Sequence, residues 1–117
     1  MKVLCYSKCN TCRKALKYLE DHGIDFDARD IKEENPSAQE LREWIGKSGL
    51  PSRKFFNTSG KLYKEMELSK KLPDMPEEDQ IQLLASDGML VKRPLLINGE
   101  QVLVGFKEAE WEGLLSK

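Results

Sequence analysis

Lys2-Val3-Leu4-Cys5-Tyr6-Ser7-Lys8-Cys9-Asn10-Thr11-Cys12-Arg13-Lys14-Ala15 carries a short apolar run into a helical repeat through a Cys-x-x-Cys pair. Val3, Leu4 and Cys5 read as a β-strand, while Cys12, Ala15, Leu16 and Leu19 recur at helical spacing. Cys9 therefore stands just ahead of a helix start. The first N–H groups of a helix have no intrahelical partner, and the helix dipole adds partial positive charge there, so a thiolate is favoured over a thiol. Arg13 and Lys14 bring further cationic charge, and such surroundings lower a cysteine below its free pKa of about 8.5. Cys12 follows one turn along the helix, within reach of Cys9, where it can attack a mixed disulfide on Cys9 and release the product. The pattern predicts a redox dithiol.

A Cys-x-x-Cys pair can also be half of a zinc site, but a structural zinc ion needs four ligands. The chain offers only Cys5 and His22 besides, and Cys5 falls inside the strand, so no metal is expected. Buried cysteines are more often inert packing residues. That description suits Cys5, read as a small core hydrophobe; the strand-to-helix junction argues against it for Cys9 and Cys12.

At 117 residues, residues 1–117 are expected to form one domain with a modest core. A net charge of −1, with charged residues at 33% and hydrophobic ones at 39%, gives no reason to expect direct nucleic-acid binding or an anionic membrane as partner. No apolar run approaches the roughly 18 residues of a membrane helix, and Met1-Lys2-Val3-Leu4 lacks the apolar core of a signal peptide. The cytoplasm is the expected compartment. Three cysteines are too few, and odd in number, for a secreted disulfide scaffold.

Outward from the cysteines, strand one spans about 2–6 and helix one about 11–22, stopped by Gly23. Ile24, Phe26 and Ala28 alternate with Asp25, Asp27 and Arg29, predicting a second strand and hence a β-α-β unit with parallel strands. Ser37-Ala38-Gln39-Glu40 is a capping box for a helix bearing Leu41, Trp44 and Ile45 and ending near Gly49. Phe55 and Phe56 read as core anchors, followed by a turn at 57–60 and a short helix carrying Leu62, Tyr63, Met66 and Leu68. Another helix runs from Glu77 to Asp87, with Gly88 as its stop. Leu95-Leu96-Ile97, Asn98-Gly99 and Val102-Leu103-Val104 read as a hairpin with a type I′ turn at Asn-Gly. A last helix, 107–115, turns Trp111, Leu114 and Leu115 inward. The order β-α-β, a helical stretch over about 37–90, then β-β-α, together with the Cys-x-x-Cys, predicts an α/β, thioredoxin-like (glutaredoxin-like) mixed four-stranded sheet with a helical insertion.

Outside the cysteine stretch, Arg93 before Pro94 reads as bare sequence either as a solvated arginine or as a cation facing Cys9 that stabilises a thiolate or an anionic substrate. Lys70-Lys71 and Arg53-Lys54 read as solvated faces, and His22 as a surface residue at a helix end.

At Cys9-Asn10-Thr11-Cys12-Arg13-Lys14-Ala15, Phe56-Asn57-Thr58-Ser59-Gly60, Lys92-Arg93-Pro94 and Val104-Gly105-Phe106, the chain resembles the arsenate reductase (ArsC) family, in particular its Spx/MgsR-like branch. The resemblance implies a thioredoxin-like fold with a helical insertion. It assigns Cys9 as the catalytic cysteine, Arg93 as one of the oxyanion-binding arginines and Pro94 as the family's cis-proline beside the active site; Arg13, from its charge near Cys9, and Pro94 are the residues expected to bind substrate or stabilise the thiolate. Asn57 and Gly105 stand where glutaredoxin-dependent arsenate reductases carry two more arginines, which argues against true arsenate reduction. Cys12 is a feature of the Spx-like members. Two roles follow. One is a thiol–disulfide oxidoreductase acting on a disulfide or small oxidised substrate, with glutathione and glutaredoxin, or thioredoxin, as electron donor and no bound cofactor. The other is an Spx-like redox-switched regulator that binds the C-terminal domain of the RNA polymerase α-subunit through the region of Gly49 together with Arg93.

Overall fold

A computed structural model describes the backbone of residues 1–115 and the side chains of residues 1–113. β1 (Lys2–Cys5), α1 (Asn10–Asp21) and β2 (Asp27–Asp30) form the expected β-α-β start, with β1 and β2 parallel and Val3 opposite Ala28. β3 (Leu95–Asn98) and β4 (Gln101–Val104) complete a sheet of order β2-β1-β3-β4, in which β3 runs antiparallel to both its neighbours. This is the mixed four-stranded, thioredoxin-like sheet expected from the sequence.

Successive residues of a strand point to opposite faces, and here both faces are covered. Val3, Cys5 and Leu96 pack with Cys12, Ala15 and Leu19 of α1 and with Trp111 of α6 (Glu108–Leu115). Leu4 and Leu95 face the other way, into a larger cluster roofed by the helices between β2 and β3. The inward turn expected of Leu114 and Leu115 lies outside the described side chains.

The roof begins with α2 (Ala38–Ser48). Its capping box is complete: the Ser37 hydroxyl accepts from the Glu40 N–H at 3.1 Å and the Glu40 carboxylate from the Ser37 N–H at 3.1 Å. Leu41, Trp44 and Ile45 are buried, and Gly49 closes the helix at φ +72°. Phe55 and Phe56 are buried as anchors, and the backbone of Phe56 bridges to Val91. The single short helix read around Leu62 to Leu68 is two, α3 (Lys61–Glu65) and α4 (Leu68–Lys71), separated where Glu67 takes a left-handed φ of 53°. α5 (Glu77–Ser86) buries Ile81 and Leu84. No helix among the described residues is long and apolar enough to cross a membrane.

Three further expectations shift, two because a backbone group already has another partner and one because a side chain would not fit. The second strand starts at Asp27, not Ile24. The N–H groups of Gly23 and Ile24 bond back to the carbonyls of Glu20 and Leu19, both at 3.0 Å, so Ile24 belongs to the helix stop. In the hairpin Asn98 pairs with Gln101, leaving Gly99 and Glu100 as the central residues. Only Gly99 has positive φ, +61°, which is the pattern of a type II′ turn, so Asn98 ends the strand. Gly88 is not a left-handed stop. It is needed because a Cβ there would sit 1.8 Å from the Ile31 carbonyl oxygen at the end of β2.

Arg29 on β2 ties the sheet edge to α2. Its guanidinium donates to both Glu40 oxygens, at 2.7 and 2.9 Å, and to the carbonyls of Glu34 and Asn35. Arg29 holds the Glu40 carboxyl down from its ordinary 4.5 to about 2, with the Ser37 N–H assisting and burial opposing. A depressed carboxyl contributes stability that is present above the unfolded pKa and lost as pH falls through the folded one. Glu40→Gln should lose about 1–2 kcal/mol at neutral pH, and the gap to wild type should close between about pH 4.5 and 2 in urea melts. Gly88→Ala should cost more than about 2 kcal/mol by the same measurement. Gly46→Ala, with nothing within 4 Å of the added carbon on the exposed side of α2, should stabilise by about 0.5–1 kcal/mol.

Candidate active site

Three chain segments meet at one end of the sheet. β1 runs into the loop before α1, β3 starts after Arg93-Pro94, and β4 ends at Gly105; because Leu4 pairs with Leu95 and Leu95 with Val104, these ends lie side by side. The Arg93-Pro94 bond is cis, and the Pro94 carbonyl accepts from the Gly105 N–H at 2.8 Å.

Cys9 is the N-cap residue of α1, in extended conformation. Its N–H donates to the Tyr6 carbonyl at 3.0 Å and its carbonyl accepts from the Arg13 N–H at 3.1 Å, which sets the loop against the helix start. Cys9 is half-buried and opens on a cleft of about 430 Å³, shared with Thr11, Asn57, Arg93, Gly105 and Phe106. No carboxylate lines this cleft among the described residues.

Cys12 lies behind Cys9, 1% exposed. The Tyr6 N–H reaches its sulfur at 3.4 Å. The thiol of Cys12 is brought down from 9.0 to about 6, first by a hydrogen bond from Cys5, then by the Tyr6 N–H, a hydrogen bond from Cys9 and the charge of Arg93, all against the burial that opposes ionisation. The bond to Cys12, together with burial, pushes the Cys5 thiol up. The lowered thiol is thus found at Cys12, which the sequence reading cast as the resolving partner.

Arg93 is held by Tyr6, its guanidinium carbon 5.3 Å from the ring centroid. Its Nε and Nη1 are buried without a protein acceptor. An unpaired buried donor costs roughly 1–3 kcal/mol. The fold therefore holds unused hydrogen-bonding capacity beside the cleft.

The structure brings Cys9, Cys12, Arg93 and Pro94 together. It does not bring Arg13 into the cleft: its Nε donates to the Ser7 carbonyl at 3.0 Å, on the exposed side of the loop. Gly49 is also apart. It is exposed two residues after Lys47, whose ammonium bonds the Gly99 carbonyl at 3.3 Å in the β3–β4 turn, at the far end of β3 from Arg93. Sequence reasoning missed Cys5 as a partner of Cys12. Strand alternation could have found it, since Val3 and Cys5 share the face that α1 covers. Tyr6, Lys92 and Lys107 were missed because nothing in their spacing marks them.

Thiolate ultraviolet absorbance should show a step near pH 6. It should vanish in Cys12→Ser, persist in Cys9→Ser, and move upward in Cys5→Ala and Arg93→Met.

Comparison with known proteins covers the stretch that holds this cleft. The sequence model of the ArsC family matches residues 4–114. The crystal structure of a putative ArsC family related protein from Bacteroides fragilis is similar to this one at TM-score 0.94, with 55% identity, covering 97% of this chain and 95% of that one. The crystal structure of a possible arsenate reductase from Streptococcus mutans UA159 is similar at TM-score 0.89, with 44% identity and the same coverage, 97% and 95%. The global transcriptional regulator Spx of Enterococcus faecalis is 28% identical over 102 residues, 87% of this chain and 76% of that protein.

Proposed function

The chain belongs to the ArsC family, and on that footing we propose that it is a cytoplasmic thiol–disulfide oxidoreductase in which Cys9 attacks, Cys12 resolves and Arg93 stabilises the charge between them. The supporting observation is the stacking of the two sulfurs: Cys9 half-buried at the cleft, and Cys12 behind it with a thiol lowered to about 6.

Cys9 gives up its thiol proton to water as its sulfur attacks one sulfur of a substrate disulfide. A Cys9–substrate disulfide forms, and the other half of the substrate leaves as a thiolate that takes a proton from water. The Cys12 thiolate, already favoured by its hydrogen bonds, then attacks the Cys9 sulfur, and the second half of the substrate leaves. The substrate has gained two electrons, and the protein holds a Cys9–Cys12 disulfide. An external thiol donor, glutathione with glutaredoxin or thioredoxin, returns the dithiol. Arsenate reduction is outside this role. By the resemblance, arsenate reductases of the family carry two further arginines at the positions of Asn57 and Gly105; here these two share the cleft with Arg93, so one guanidinium faces it in place of three.

An Spx-like regulatory role is favoured by a different feature. Gly49 is exposed in its left-handed turn, and Leu50 beside it is an exposed large hydrophobic residue at 40%. Contact with the C-terminal domain of the RNA polymerase α-subunit would use this end of α2 without Arg93, with Cys9–Cys12 oxidation as the switch.

Cys9→Ser should abolish turnover of a model disulfide in a glutaredoxin- or thioredoxin-coupled assay, whereas Cys12→Ser should accumulate a mixed disulfide on Cys9 by intact mass. Undiminished turnover by Cys9→Ser would end the oxidoreductase role. A single round of reduction without turnover, with capture of that isolated polymerase domain that Leu50→Glu abolishes, would establish the regulatory one.

A further inference from the structure

Gly105 leaves a space that a cation fills. A Cβ at this position would come within 3.2 Å of Lys92 Cε and 3.9 Å of Lys92 Nζ, so the lysine stem lies across the bare glycine backbone. The lysine is fixed at its root, where its N–H donates to the Phe55 carbonyl at 2.7 Å. Lys92 and Lys107 both line the cleft next to Arg93, and among the described residues neither makes an ion pair. Three cations thus surround a volume of about 430 Å³ in which Cys9 is the nucleophile and Asn57, Ser59 and Thr11 offer neutral hydrogen bonds.

We propose that Lys92, seated over Gly105, is the specificity-determining cation of this cleft and selects disulfides that bear a carboxylate. The proposal rests on the oxidoreductase role and names its substrate class. The chemistry separates two kinds of anion. A small tetrahedral oxyanion is gripped by several planar guanidinium forks converging on one point. Here there is one guanidinium, and the other charges are ammonium groups on flexible stems, each a compact, hydrated point charge. Such groups suit a carboxylate carried at some distance from the reacting sulfur. The cleft has room for the intervening chain, and no carboxylate in its described lining repels the substrate.

The test uses Cys9→Ser protein, which binds without turning over, and NMR titration of the Lys92 and Gly105 amides. The probes are 3,3′-dithiodipropionate, a dicarboxylate, and 2-hydroxyethyl disulfide, its neutral counterpart. The dicarboxylate should bind about tenfold tighter, and that ratio should shrink as ionic strength rises from about 0.02 to about 0.5 M. Adding Lys92→Met should cut the ratio about fivefold, and Lys92→Arg should keep most of it. A ratio unmoved by Lys92→Met, or arsenate that competes as strongly as the dicarboxylate, would overturn the proposal. Binding in this background needs no turnover. An inactive wild type with an intact ratio would therefore count against the oxidoreductase role alone, and a lost preference in an active enzyme against Lys92 alone.

Discussion

The double pairing of β1 holds the site in place. β1 is hydrogen-bonded to β2 on one side and β3 on the other, so its end cannot slide relative to either. A slip of one residue would turn Val3 and Cys5 away from α1 and drive Leu4 out of the opposite cluster. With that register set, the loop after Cys5 must deliver α1 back onto the face that Cys5 occupies. Cys12, Ala15 and Leu19 then bury together against the strand, and Cys9, one turn earlier, is left at the rim. Packing and chemistry use the same helix face.

That arrangement also explains why the acidified sulfur is the buried one. Burial alone raises a thiol. Cys12 is surrounded by donors that outweigh the cost: the Cys5 thiol beneath it, the Tyr6 N–H beside it and the Cys9 thiol above it, with the charge of Arg93 nearby. Arg93 is kept close by the Tyr6 ring, two of its nitrogens withdrawn from solvent. A single short segment, Cys5 to Cys12, thus carries the strand end, the ring that seats the arginine, and all three sulfurs. The rest of the cleft comes from distant parts of the chain, with Asn57 beyond α2 and Gly105 after β4.

The helices between β2 and β3 cover one face of the sheet and connect back to it through polar contacts as well as apolar ones. Arg29 grips Glu40 from the edge strand, and Gly88 lets the backbone after α5 approach Ile31. Both contacts fix where the chain re-enters the sheet before Arg93. Belonging to the ArsC family is consistent with this architecture.

What was legible in the sequence was what local physics controls. Helical spacing after Cys9, the Ser37–Glu40 capping box, the left-handed glycines at 23 and 49 and the apolar strands each depend on neighbours within a few residues, and the structure has them. The class of sheet followed from their order. Boundaries went wrong where a backbone group had a competing partner nearby: Ile24 was taken by the helix stop, and Asn98 by the strand ladder. Only the tertiary structure could decide the rest. It placed Cys5 under Cys12, turned Arg13 onto the loop, separated Gly49 from Arg93 and laid Lys92 across Gly105. These relations join residues whose proximity comes from sheet register and helix packing, and side-chain direction over such separations is not encoded in spacing along the chain.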